Sequence, residues 1–286
     1  MKINQAFLLL TTTFADILAK SDVYELLEVI LKRSYAEIVL GMDDVLTPEE
    51  IQTFNQVVSQ LKTGYPVAYI TRRKFFYKDY FYVNQNVLIP REETSLIVEI
   101  GLDFLKTNYL NHQAIYYDFC TGSGNVGLSI QKYFPNLISY LTDNSFEALE
   151  VAQSNQIGLN LTDVNFIHGD FLSPLLNQKK FLKANLITVN PPYIDSNDPW
   201  IAENVKKYEP HNALFAPNQG LFFYQVMAEH YYEIVDKTQK FLIIMEFGAN
   251  QKAEIEAIFT KKVQNDTKIN FIQDANNHYR FITISN

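Results

Sequence analysis

The stretch Asp118-Phe119-Cys120-Thr121-Gly122-Ser123-Gly124-Asn125-Val126-Gly127 decides the fold. It closes a short apolar and aromatic run, Ala114–Phe119, and opens a helical pattern over residues 124–134. A G-x-G-x-x-G spacing between a strand and a helix is the context of a nucleotide-type cofactor. Glycine there lets the backbone turn tightly and approach the ligand closely. Downstream, short apolar runs alternate with helical patterns. The strands expected are 138–142, 164–168, 184–189, 241–245, 269–273 and 280–285, and the helices 146–157, 220–236 and 250–262. Such alternation predicts an α/β domain with a mostly parallel sheet covered on both faces.

The second strand ends in Asp143, nineteen residues beyond Gly124. An acidic residue at that distance can accept hydrogen bonds from ribose hydroxyls. A dinucleotide and S-adenosylmethionine both fit this pattern, and Asp118 bears on the choice. A carboxylate beside the loop repels a pyrophosphate but attracts the ammonium and sulfonium of S-adenosylmethionine. The sequence therefore favours the latter. Asp118 also has a plainer reading, as a carboxylate that caps its own loop. After the third strand, Gly169-Asp170-Phe171 brings a carboxylate and an aromatic ring to the same sheet edge. Asp170 can accept the adenine amino group and Phe171 can pack on the ring, or the pair can serve as a helix cap and a core phenylalanine.

The fourth strand ends in Asn190-Pro191-Pro192-Tyr193, the most specific signal in the chain. Two prolines after a buried strand remove ladder donors and so need a reason. Their carbonyls remain as directed acceptors, and Asn190 adds a side-chain carbonyl. Together these can grip both hydrogens of a planar –NH2 group, stabilising the positive charge that grows on a weakly nucleophilic nitrogen. They also aim its lone pair at the methyl donor. Asn190, Pro191 and Tyr193 are the catalytic candidates. Pro192 completes the substrate-binding set, and the Tyr193 ring can stack on the planar group. The five histidines show no metal-ligand spacing, so no metal site is expected.

The rest of the chain bounds the reading. It has 286 residues, 47% apolar and 20% charged, with a net charge of −8 and one cysteine. This suits a folded cytoplasmic protein, excludes a disulfide framework, and argues against a general polyanion binder. Ala6–Leu10 after Lys2 hints at a signal peptide, but the threonines at 11–13 interrupt it, and no run is long enough to span a membrane. Residues 1–62 read as a helical domain. Val23, Leu26, Leu27, Ile30 and Leu31 form one apolar stripe, and Ile51, Phe54, Val58 and Leu61 form another. Thr47, Pro48 and Glu50 mark the start of the second helix. Residues 63–90 read as a β-hairpin linker turning at Lys78-Asp79. Its Arg72, Arg73, Lys74 and Lys78 could touch nucleic acid or an acidic partner, or form a solvated face. Residues 91–286 form the α/β domain.

These residues resemble the protein-(glutamine-N5) methyltransferases of peptide chain release factors, the HemK/PrmC family. The resemblance runs from about Gly64 to Arg280. It includes Gly64-Tyr65-Pro66-Val67-Ala68-Tyr69-Ile70, Ile89-Pro90-Arg91 with Thr94, and the glycine loop with Asp143 and Asp170. Further matches are Asn190–Tyr193, Glu209-Pro210 with Ala213-Leu214, Gly220-Leu221, Glu246-Phe247-Gly248 with Gln251, and Arg280. Glu92 and Ser95 stand where the family usually has Pro and Glu. The resemblance implies a Rossmann-like S-adenosylmethionine-dependent domain with an N-terminal helical domain that recognises the substrate. It implies that Cys120, Thr121, Gly122, Ser123, Gly124, Asp143, Phe171 and Asn190 hold S-adenosylmethionine, and that Asn190–Tyr193 hold the glutamine of a release factor's Gly-Gly-Gln loop. An adenine-N6 nucleic-acid methyltransferase would use the same tetrapeptide on a flipped base. The acidic charge and the lack of a long insertion argue against that, and neither nucleic acid nor membrane is an expected partner.

Overall fold

The computed structural model describes residues 1–177, 180–264 and 266–286. Five helices come first: α1 (Ile3–Thr13), α2 (Lys20–Leu31), α3 (Tyr35–Leu40), α4 (Pro48–Lys62) and α5 (Val67–Thr71). A hairpin follows, β1 (Arg73–Phe76) and β2 (Asp79–Tyr82). Then come α6 (Ser95–Asn108), β3 (Ala114–Phe119), α7 (Asn125–Tyr133), β4 (Leu137–Asp143), α8 (Phe146–Gly158) and β5 (Val164–His168). The chain ends with α9 (Ser173–Leu176), β6 (Leu186–Val189), α10 (Glu203–Tyr208), a 3-10 turn at His211–Ala213, α11 (Phe222–Ile234), β7 (Leu242–Glu246), α12 (Lys252–Thr260), β8 (Lys268–Gln273) and β9 (Tyr279–Ser285).

Contacts divide the chain into two units, Met1–Arg73 with Ala202–Tyr208, and Lys74–Ile201 with Glu209–Asn286. The first unit is a helical bundle. The α2 stripe is buried throughout. In α4 the Thr47 hydroxyl accepts from the Glu50 amide and the Glu50 carboxylate accepts from the Thr47 amide, a reciprocal cap that satisfies two otherwise orphaned donors. Val57 rather than Val58 completes its buried face. The stretch that hinted at a signal peptide is α1, with Ile3, Ala6 and Leu10 in the bundle core. The returning segment is tied to this unit by the Tyr208 hydroxyl, which donates to the Thr63 carbonyl, and by an edge contact between Tyr65 and Tyr208.

The division falls at Arg73/Lys74, beyond the boundary at 62 expected from the sequence, because α5 continues the bundle past the Gly64–Pro66 break. The hairpin is packed onto the second unit rather than left as a bare linker. Phe76 and Phe81 are buried in its core, and Asn155 of α8 bonds both the amide and the carbonyl of Tyr82. Its turn is at Tyr77-Lys78, where Tyr77 takes a positive φ of 57°. Of the basic residues there, Arg73 pairs with Glu25 and Glu28, and Lys78 lies over the rings of Tyr77 and Tyr133.

The second unit carries a seven-stranded sheet in the order β5-β4-β3-β6-β7-β9-β8. β5, β4, β3, β6 and β7 run parallel, and β9 inserts antiparallel between β7 and β8. β6 and β7 are buried along their whole length, as strands covered on both faces must be. One face packs Phe119, Val189, Ile243 and Met245 with α11 and α12. The other packs Tyr116, Leu186 and Ile244 with α6 and α7. The sequence patterns anticipated the strands and most helices of this unit, but α6 and the short α9 were missed.

Candidate functional site

The chain leaves β3 toward β4 on one side and enters β6 on the other. A crevice opens where strand order reverses in this way, beyond the carboxyl ends of the strands. Phe119 pairs with Val189, so Cys120 and Asn190 leave adjacent strands side by side. A cleft opens there. Asp118, Cys120, Thr121, Gly122, Ser123, Asp143, Asp170, Phe171, Asn190 and Pro192 are on its wall. Most of the residues singled out from the sequence thus line this one cleft.

Strand alternation points Asp118 away from Phe119 and under α7. There it is 2% exposed. Its Oδ2 accepts from the Thr121 hydroxyl at 2.6 Å and the Gly127 amide at 3.1 Å, and its Oδ1 accepts from the Thr188 hydroxyl at 2.6 Å. Both oxygens are committed to the chain's own loop, helix and neighbouring strand. The loop-capping reading of Asp118 is thus seen directly. Burial pushes its carboxyl up to about 6, against the three hydrogen bonds, which favour the charged form.

Asp143 is differently placed. Its Oδ2 accepts from the Gly122 amide at 2.8 Å and its Oδ1 from the Ser145 amide at 3.0 Å. A carboxylate has about four lone-pair sites, so two remain for a ligand. Burial raises its carboxyl as well, with the backbone donors opposing. Gly122 turns at φ +53° and faces open space, so a ligand can lie against its backbone. The Thr142 hydroxyl is on the same wall, 1% exposed and without a hydrogen-bond partner among the described residues. The wall carries three carboxylates, Asp118, Asp143 and Asp170, and one guanidinium, Arg91. That guanidinium is paired with Glu209. A carboxylate with spare acceptor capacity, an open backbone approach, a buried hydroxyl and an acidic lining suit a cationic nucleoside better than a pyrophosphate.

Not every expected residue is on this wall. Gly124 begins α7 at φ +78°, and a Cβ there would lie 2.9 Å from Leu128 Cδ1 and 3.2 Å from Ala152. Its glycine is required by loop geometry and close helix packing. Pro191 is buried and Tyr193 half-buried, and neither side chain lines the cleft. Phe171 adopts φ +42° and is 5% exposed, edge-on to Phe119 and Phe223, so most of its ring belongs to the core. Cys120 is held at φ +58°, and burial drives its thiol well above the ordinary range. It is therefore no nucleophile at neutral pH.

The structure adds residues for which the sequence offered no role. Glu209, 4% exposed, accepts from the Ile89 amide at 3.0 Å and from Arg91 Nη2 at 2.6 Å. It pins the segment that forms one side of the cleft. Gln251 Nε2 donates to the Tyr193 carbonyl at 2.8 Å. The Tyr193 hydroxyl donates to Glu246 and accepts from Arg280, and the Thr94 hydroxyl donates to the other Glu246 oxygen. Each lies in a segment carrying the family resemblance, yet the partners are far apart in sequence, so no local pattern pairs them. Among the described residues, no group of three His, Cys, Asp or Glu could hold a metal ion. No helix there is long and apolar enough to cross a membrane.

Comparison with known proteins follows the same lines. Residues 11–71 match the family model of the PrmC N-terminal domain, and residues 98–207 match that of the methyltransferase small domain. The chain is 41% identical to the release factor glutamine methyltransferase of Mycoplasma mycoides subsp. mycoides SC, over 94% of this chain and 93% of that protein. It is 34% identical to the release factor glutamine methyltransferase of Staphylococcus aureus, over 86% of this chain and 85% of that one. A solved release factor-specific protein-(glutamine-N5) methyltransferase from Alicyclobacillus acidocaldarius is 21% identical, covering 72% of this chain and 98% of that one at a TM-score of 0.45. With an acidic nucleoside cleft beside an Asn-Pro-Pro-Tyr turn, and with relatives matched over nearly its whole length, the chain belongs to the release factor glutamine methyltransferase family.

Proposed function

We propose that this protein transfers a methyl group from S-adenosylmethionine to the side-chain amide nitrogen of the glutamine in the Gly-Gly-Gln loop of a peptide chain release factor. The observation that carries this reading is the pairing of β3 with β6, which sets Asn190 beside the glycine loop. When bound, S-adenosylmethionine supplies an electrophilic methyl group on a sulfonium. Asp143 takes the ribose hydroxyls on its two free lone-pair sites, and Gly122 allows close approach. Asp170 and the exposed edge of Phe171 flank the adenine.

The remaining chemistry belongs to the amide. Its nitrogen is a poor nucleophile because the lone pair is delocalised into the carbonyl. The Asn190 side-chain oxygen and the Pro191 carbonyl accept its two hydrogens, drawing density toward nitrogen and stabilising the charge that grows there. The prolines fix the direction of these acceptors, and the Tyr193 ring holds the amide plane. The first unit, Met1–Arg73 with Ala202–Tyr208, serves for substrate recognition, and the second, Lys74–Ile201 with Glu209–Asn286, for catalysis. The protein works in the cytoplasm, where release factors act, and forms no stable complex with nucleic acid or membrane.

Asn190→Ala tests the reading. Loss of one positioned group in such a site costs roughly 2.7–4 kcal/mol, or about 10²–10³ in rate. Turnover at saturating cofactor should fall by that factor with release factor as substrate, and mass spectrometry should find the methyl on a glutamine amide. Full turnover in Asn190→Ala would remove the tetrapeptide from the mechanism. A methyl group on adenine, with DNA or RNA as substrate, would replace this reading with the nucleic-acid one.

A further inference from the structure

Tyr193 is gripped by three stretches of chain remote from it in sequence. Its hydroxyl donates to Glu246 Oε1 at 3.3 Å and accepts from Arg280 Nη2 at 3.3 Å. The other Glu246 oxygen accepts from the Thr94 hydroxyl at 2.7 Å. Arg280 Nη2 lies 3.6 Å from Glu246 and 3.6 Å from Glu93, and its guanidinium carbon is 5.8 Å from the Tyr193 ring centroid. Glu246, at the end of β7, is fully buried. A buried carboxyl is costly and contributes little net stability over an apolar side chain of the same size. What it can supply is a fixed orientation for the group it bonds.

We propose that Glu246 is a positioning residue for methyl transfer: with Arg280 and Thr94 it fixes the Tyr193 hydroxyl, and so the ring plane against which the glutamine amide is presented. This rests on the amide-transfer reading above. The clamp also ties the ring to the cofactor side of the site. Thr94 and Glu93 end the segment whose Val87, Pro90 and Arg91 form one side of the cleft. Seating of that segment and posture of Tyr193 are therefore mechanically linked.

The charges around Glu246 set a pH signature. Burial pushes its carboxyl up to about 7 and Glu93 adds to the rise, while Thr94, Arg280 and the Tyr193 hydroxyl oppose it. The charge of Arg91 acts on Tyr193 itself, and Tyr224 bonds the Glu246 backbone carbonyl. Above this midpoint the carboxylate accepts from Thr94 and Tyr193 together. Below it, one oxygen carries a proton and the clamp loses an acceptor. Turnover should therefore rise as pH increases through about 7.

Glu246→Gln, close in size and uncharged, should lower kcat for release factor about tenfold, the size of one lost hydrogen bond to a charged acceptor. It should leave S-adenosylmethionine affinity within about twofold of the wild type, since Glu246 is not on the cleft wall. The rise in turnover near pH 7 should disappear with it. In a Tyr193→Phe background the same change should have no further effect, because the hydroxyl it acts through is gone. A second readout needs no substrate. In the full-length protein labelled with 13C at tyrosine Cζ, the signal lost in Tyr193→Phe should titrate near pH 7 in wild type and stay flat in Glu246→Gln. A flat wild-type signal, or multiplicative losses in the double variant, would overturn the proposal. A titrating signal in a protein that methylates no release factor would uphold the clamp and refute the substrate assigned above.

Discussion

Replacing Asp118 by alanine should cost far more than replacing it by asparagine, although both remove the same charge. Alanine leaves the Gly127 amide and the Thr121 hydroxyl without their acceptor inside the fold. Each buried donor left unmade costs about 1–3 kcal/mol, so the loss is about 2–6 kcal/mol. The Thr188 hydroxyl is spared, since it can turn its hydrogen to Tyr116. Asparagine keeps one oxygen for Gly127 and Thr121 and directs its amide at Thr188, at a cost of about 1 kcal/mol. Thermal melts should show a drop on the order of 10 °C for alanine and a few degrees for asparagine. The asparagine variant should also change the pH dependence. The folded state holds the Asp118 proton more tightly than the unfolded chain, with the carboxyl raised from 3.8 to about 6. Wild-type stability therefore falls as pH rises through that window, by about 3 kcal/mol on this group's account, and asparagine removes that slope. Titration calorimetry with S-adenosylmethionine should find the alanine variant weakened through its displaced loop and the asparagine variant close to wild type. Equal stability in the two variants, together with an equal large loss of affinity, would refute the staple and restore the direct charge attraction expected from sequence.

Asp143→Ala should weaken S-adenosylmethionine tenfold or more by calorimetry, since hydrogen bonds to a charged acceptor are worth roughly 1.5–3 kcal/mol each; unchanged affinity would remove the ribose assignment. Gly220→Ala places a Cβ 2.1 Å from the Tyr193 carbonyl oxygen at a φ of +81°. It should destabilise the protein by roughly 1–3 kcal/mol and reduce turnover more than cofactor affinity, whereas a wild-type melt and rate would show that Tyr193 yields at no cost.

Much of the fold was legible because its signals are local. Ala114–Phe119 coincides with β3 because a buried parallel strand is a short apolar run bounded by turn residues, and Val164–His168 coincides with the edge strand β5. The start of α4 was readable because its cap is built from residues three apart. The helix α6 went unread although Ile97, Val98, Leu102 and Leu105 are all buried. The threonine at its N-cap, Thr94, makes no side-chain cap and instead bonds Glu246 across the domain. The antiparallel insertion of β9 between β7 and β8 was equally invisible, because the order of strands is a property of pairing and not of any one strand's pattern.

By itself the sequence determined the strand-loop-helix at 114–134, the acid closing the strand at 143 and the Asn-Pro-Pro-Tyr turn at 190–193, because glycine spacing, proline and alternation are set by neighbours along the chain. The tertiary structure alone decided that Asp118 is consumed by Thr121, Gly127 and Thr188. It alone decided that Gly124 serves packing, and that Tyr193 answers to Thr94, Glu246 and Arg280. Those outcomes depend on side chains brought together from stretches up to 152 residues apart, and only sheet register and helix packing bring such distant donors and acceptors within bonding distance.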